Sequence, residues 1–163
     1  MKNSGHFVLL SVLLSAPLLP TTALAAAKTG DCPAVKVAFT ASDLLGSTTN
    51  SMALVNLPEA SVAFSQKGNK AACVVVEFFA NSIEAPGELL GVQALLDGAP
   101  MFPNVVVFSS DSDENANGNG SAARAFSWVS SAAPGAHVVQ IVYASQNGTP
   151  VTINKHTTLV LHR

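Results

Sequence analysis

Ala72-Cys73-Val74-Val75-Val76-Glu77-Phe78-Phe79-Ala80-Asn81 decides the fold class of this chain. β-Branched and aromatic residues fill the stretch, neither Gly nor Pro interrupts it, and it shows no apolar stripe at helical spacing. Both alternating faces are mostly apolar, which places this strand in the middle of a sheet. Glu77, its one charge, reads as pointing to a rim or a cleft.

The same period of two recurs on either side. Upstream, Val35, Val37 and Phe39 alternate with Lys36, Ala38 and Thr40. Met52 to Leu57 is a second run, stopped by Pro58, and Val62 and Phe64 alternate with Ser61, Ala63 and Ser65 as a third. Downstream, Leu89 to Leu96 has a short helix as its rival reading, but Gly91 and the following Asp97-Gly98 favour a strand. Val105 to Phe108, the Phe126/Trp128 alternation, Val138 to Tyr143, the Val151/Ile153 pair and His156 to His162 complete the series. Lys67-Gly68-Asn69-Lys70 and Asn147-Gly148 read as hairpin turns, and Ala85-Pro86-Gly87 and Pro134-Gly135 as further turns. No connection is long enough for a helical crossover, so the strands pair antiparallel. The expected fold is all-β: an antiparallel two-sheet β-sandwich of about nine or ten strands.

The N-terminus reads as an address. Lys2 supplies a positive charge, Phe7 to Leu19 is apolar apart from Ser11 and Ser15, and Ala23-Leu24-Ala25 fits a small-x-small cleavage site. The apolar run is too short to span about 30 Å of hydrocarbon. Residues 1–25 are therefore expected to be a signal peptide, and 26–163 a single domain that is periplasmic or secreted. Without Lys2 the chain carries seven basic and ten acidic residues, a net charge of −3 with His neutral. Basic residues form no cluster, which argues against nucleic acid as a partner. No later stretch is apolar enough to be a transmembrane segment.

Cys32 and Cys73 are the two cysteines. In an oxidising compartment they are expected to form one disulfide. Neither has a close-spaced Cys or His partner that would make a metal site.

The stretch Asp111 to Gly120 carries the strongest hint of chemistry. Asp113, Asn115, Asn117 and Gly118 match the opening of a calcium loop, with Asp111 close by. Oxygens at alternating positions wrap a hard cation and the Gly permits the turn. Arg124 stands where such a loop needs its bidentate carboxylate, so the competing reading is a polar connection between strands. Calcium is the one cofactor the sequence raises. His137, His156 and His162 show no ligand spacing, and the last two lie about 20 Å apart if they share one straight strand. Nucleophile-elbow and zinc-protease motifs are absent, so no catalytic residue is assigned.

Ring stacking on a sugar needs exposed aromatics. Trp128 and Tyr143 are the candidates, with core packing as the competing role for each. Arg124 is a charged neighbour of the 109–121 loop and a third candidate ligand-binding residue.

Leu95-Leu96-Asp97-Gly98, Ala125-Phe126-Ser127-Trp128-Val129, Pro134-Gly135-Ala136-His137-Val138-Val139-Gln140-Ile141 and Thr157-Thr158-Leu159-Val160-Leu161 resemble segments of small bacterial exported β-sandwich proteins. The resemblance covers roughly Met52 to Arg163 and implies a jelly-roll-like fold without a particular activity. The expectation for function is an exported, non-catalytic binding or structural module with a carbohydrate or protein partner. The alternatives are a glycan-binding, lectin-like module and a cell-surface assembly component. A hydrolase with an unfamiliar site ranks behind these.

Overall fold

In a computed structural model, residues 30–34, 36–84, 87–109 and 120–163 are described. The expected signal peptide, the Ala85-Pro86 part of one turn and the Asp111–Asn117 calcium loop lie outside them. The compact unit Asp31–Arg163 is built from ten strands, with no helix among the described residues. In chain order these are β1 (Lys36–Ser42), β2 (Ser47–Thr49), β3 (Val55–Gln66), β4 (Ala72–Glu84) and β5 (Leu89–Leu96). They are followed by β6 (Ala99–Pro100), β7 (Val106–Ser109), β8 (Gly120–Ala132), β9 (Gly135–Ser145) and β10 (Val151–His162).

Two five-stranded antiparallel sheets face each other. Sheet 1 runs β1-β10-β4-β8, with β2 also on β10; sheet 2 runs β3-β9-β5, with β6 and β7 both on the far side of β5. Without the short β2 and β6, the remaining strands in chain order lie 1-8-3-6 in one sheet and 2-7-4-5 in the other. That is the order of a jelly roll.

The decisive stretch behaves as its composition requires. β4 lies inside sheet 1, between β10 and β8. Val74, Val76 and Phe78 enter the core with no exposed surface, against Leu90, Val92, Ile141 and Trp128 among others. Two expectations change. The segment after β3 and the Asn147-Gly148 segment do not close hairpins, because β3 and β9 belong to sheet 2 while β4 and β10 belong to sheet 1. They are arches between layers. Turn residues supply positive φ, as at Gly68 (106°) and Gly148 (80°), but do not select the sheet that the next strand joins.

Pro58 does not end a strand either. β3 runs through it as the border strand of sheet 2, and its register with β9 breaks between Asn56 and Ser61. Leu57 and Ala60 are buried on either side of the break, with Glu59 at φ 55°. A border strand with a bulge tolerates a residue that lacks an amide hydrogen.

The cysteines are joined, with Cα atoms 5.3 Å apart and a sequence separation of 41. This ties the chain ahead of β1 to the start of β4. In the chain-entropy view, closing such a loop stabilises by roughly 4 kcal/mol. No helix among the described residues is long and apolar enough to cross a membrane.

Candidate functional site

Trp128 and Tyr143 are both core residues. Trp128 is fully buried on β8, and its Nε1–H donates to the Asn104 carbonyl at 2.8 Å. Tyr143 is 3% exposed on β9, and burial pushes its phenol pKa upward. Neither ring is presented to solvent, so stacking on a ligand has to be sought elsewhere. Arg124 lies on β8 with its guanidinium 4.7 Å above the Phe108 ring and 3.8 Å from the Glu84 carboxylate. Glu84 has no exposed surface, and among the described residues its oxygens accept no hydrogen bond. Arg124 therefore sits against a buried opposite charge, in a ladder that continues through Phe108, Phe126 and Trp128.

The histidines bond locally, although the buried Nδ1 of His156 has no hydrogen-bond partner among the described residues. His156 is buried and its Nε2–H donates to the Pro58 carbonyl at 3.1 Å. Desolvation lowers its pKa more than this bond and the nearby Glu59 charge raise it. His162 donates from Nδ1 to the Arg163 carbonyl at 3.2 Å. Among the described residues, no group of three or more His, Cys, Asp or Glu is arranged to hold a metal.

Two carboxylate sites were not foreseen. Asp97 takes a 2.6 Å bond from His137 Nδ1–H and a 2.9 Å bond from the Val138 amide, while His137 Nε2–H reaches the Ala133 carbonyl at 2.7 Å. Both ring nitrogens face acceptors, an arrangement that only the imidazolium fully satisfies. The bond to Asp97, then that to Ala133, raises the His137 pKa; the bond from His137, then the Val138 amide, lowers that of Asp97. The second site is Glu88, 1% exposed, which accepts from Ser145 Oγ and the Asn147 amide, both at 2.9 Å. Burial pushes its pKa up, but hydrogen bonds from Asn147, Ser145, Thr149 and Leu89 outweigh that and hold it below the ordinary value. It pins the arch from β9 to β10.

The exposed rings lie on the outer face of sheet 1. Directly opposed residues of antiparallel strands share a face, so the register lays out rows across β1, β10, β4 and β8. One row is Val37-Leu161-Val75-Val129, the next Phe39-Leu159-Glu77-Ser127, and the next Ala41-Thr157-Phe79-Ala125. Glu77 is the only charge in these three rows. Phe39 is 68% exposed, Val37 59% and Phe79 42%. Together the three rows make a contiguous, mostly apolar outer face on sheet 1.

At one end of the face lies a shallow depression of about 350 Å³, lined by Phe79, Asn81, Ala125, Lys155 and Thr157 among others. Its shape follows from the sequence. Thr157 and Ala125 are small neighbours that leave the Phe79 ring uncovered. The register between β10 and β4 shifts between Asn154 and His156. Lys155, at φ 34°, is the extra residue there; it is exposed, while His156 turns back into the core. The bulge is held by the Lys155 amide donating to the Leu44 carbonyl at 2.9 Å. Sequence reading missed Phe79 because both faces of its strand are apolar, and period-two logic cannot tell which is covered.

No protein-family model and no curated protein matches this chain. Among solved structures, it is similar to dimeric latent PorU from Porphyromonas gingivalis, with a TM-score of 0.46 and 13% identity over 82% of this chain. The match spans 14% of the PorU chain. It is also similar to the CBM36-1 domain of a multidomain xylanase from the hindgut metagenome of Trinervitermes trinervoides, with a TM-score of 0.39 and 10% identity. That match covers 76% of this chain and 96% of the other. Both are likenesses of backbone shape; the β-sandwich itself is read from the strand order and the two facing sheets.

Proposed function

We propose that this chain is an exported, non-catalytic binding module that works through the outer face of sheet 1. The carrying observation is the Phe79 ring, 42% exposed on the floor of a depression edged by an amide, a hydroxyl and an ammonium. An uncovered aromatic face beside hydrogen-bonding groups suits a sugar ring, whose C–H face stacks while its hydroxyls bond at the margin. A glycan is therefore the ligand class we put forward. The disulfide and the N-terminal address support export. Calcium at Asp111, Asp113, Asn115 and Asn117 remains part of the proposal on its residue spacing alone.

Titration of the purified protein with an oligosaccharide panel, followed by calorimetry, tests the reading. Phe79→Ala is expected to weaken glycan binding at least about tenfold, the scale of one lost stacking contact, while leaving the melting temperature nearly unchanged. An empty panel, or a Phe79→Ala protein that binds as before, would reject the glycan. A calcium titration followed by thermal unfolding tests the loop, because a ligand of the native state raises the transition.

A further inference from the structure

We infer that β1 is a docking edge for a second copy of this chain, paired antiparallel so that two copies of sheet 1 become one continuous sheet. The inference starts from how the other strand edges are blunted. β8 is bridged by Phe102, whose amide and carbonyl bond the Val129 backbone at 3.0 and 2.7 Å. β3 carries Pro58 and a bulge. β6 and β7 are two and four residues long. These are the ordinary devices that keep sheet edges from pairing with other chains. β1 has no bridge, Pro or bulge among the described residues, and its one edge charge is Lys36 at its start. Its ladder with β10 is unbroken over seven residues and it contains no Pro. Among the described residues its backbone makes no backbone hydrogen bond outside that ladder.

The sequence of β1 is complementary to itself. With the two-fold axis at Phe39, the Phe39 rings of the two copies stand side by side on the outer face. Val37 then opposes Ala41 of the second copy, and Ala38 opposes Thr40. Lys36 opposes Ser42 of the second copy. The Ser42 hydroxyl donates to the Glu59 carboxylate within its own chain, so each Lys36 arrives beside an acidic partner. Apolar residues meet apolar or small ones, and charge meets opposite charge. A one-sided patch becomes shared surface, which accounts for a Phe left 68% exposed on a border strand. The contact is short, at the low end of specific interfaces, so the pair is reversible, with Kd on the order of 10–100 µM. It would set two Phe79 depressions on one face roughly 25–30 Å apart, from strand spacing and residue rise.

Sedimentation equilibrium of the purified protein across that range reads the result. The expected outcome is a monomer–dimer equilibrium, weakened at least about tenfold in Phe39→Glu by like charges at the axis. Lys36→Glu should weaken it as well, and Lys36→Glu/Glu59→Lys should restore it. Circular dichroism checks that each variant is folded. A monomer throughout, a dimer indifferent to Phe39→Glu, or a charge-swapped double variant that fails to recover overturns the inference. Glycan binding by monomeric Phe39→Glu, with loss of binding but not of dimer in Phe79→Ala, separates this edge from the proposed ligand site.

Discussion

The two borders of sheet 1 solve opposite problems. At β8 the border is closed: Phe102 bridges its backbone, Trp128 is buried behind it, and Arg124 stacks on Phe108 above a buried carboxylate. At β1 the border is open: Val37 and Phe39 face solvent, and the nearest cross-layer ties are the Thr40 and Ser42 hydroxyls reaching Glu59. Both strands alternate apolar and small residues. The difference lies in what the rest of the chain lays against them. Residues 101–104 fold back over β8, with Met101 buried and Asn104 accepting the indole hydrogen. No such segment among the described residues covers β1. An apolar residue on a strand is core or contact surface according to that third element.

The contrast is broken most directly at Trp128. Trp128→Ala empties a buried site at the closed border and is expected to cost about 3–5 kcal/mol, read by denaturant unfolding. Phe39→Ala at the open border should change stability by no more than about 0.5 kcal/mol. Comparable losses at the two positions would show that β1 is covered in solution. Next in size is the disulfide. Cys32→Ser/Cys73→Ser frees the chain ahead of β1 and should destabilise by about 2–4 kcal/mol. Hydrogen exchange should then rise first in β1 and not in β8.

A further small effect belongs to the Asp97–His137 pair, which lies on neither border and serves as a control. Asp97 has a lowered pKa, so its contribution is present above its unfolded value near 3.8 and lost as pH falls through the folded one. His137 has a raised pKa, so its contribution is full below its unfolded value near 6.5 and lost as pH rises through the folded one. The pair therefore supports the fold most between those values. Asp97 is half exposed, with 50% of its side chain accessible, so screening holds the effect to about 1 kcal/mol or less. Unfolding at pH 5.5 and 8.5 should show a difference that Asp97→Asn removes; an unchanged difference would place the pH dependence elsewhere.

This pair also shows how far the sequence was legible. Asp97-Gly98 and Pro134-Gly135-Ala136-His137 stood out as separate turn segments, yet their side chains close on each other across a separation of 40 residues. Nothing local announces such a bond. The same holds for Phe102 against Val129 and for Glu88 under the β9–β10 arch. Trp128 and Tyr143, candidates for ligand stacking in the sequence with core packing as the competing role, fall on the inward parity of their strands and are buried. Phe79 and Phe39 were read only as strand formers.

The sequence by itself determined the period of two, the short polar breaks, the absence of helical crossovers and the pairing available to two cysteines. Those are properties of neighbours along the chain, fixed by side-chain alternation and backbone preference. Tertiary structure alone decided which sheet each strand joined, which of two apolar faces was covered, and which border was left open. Those outcomes depend on contacts between residues tens of positions apart. Their free energy appears only when two layers close, so no local run of residues carries it.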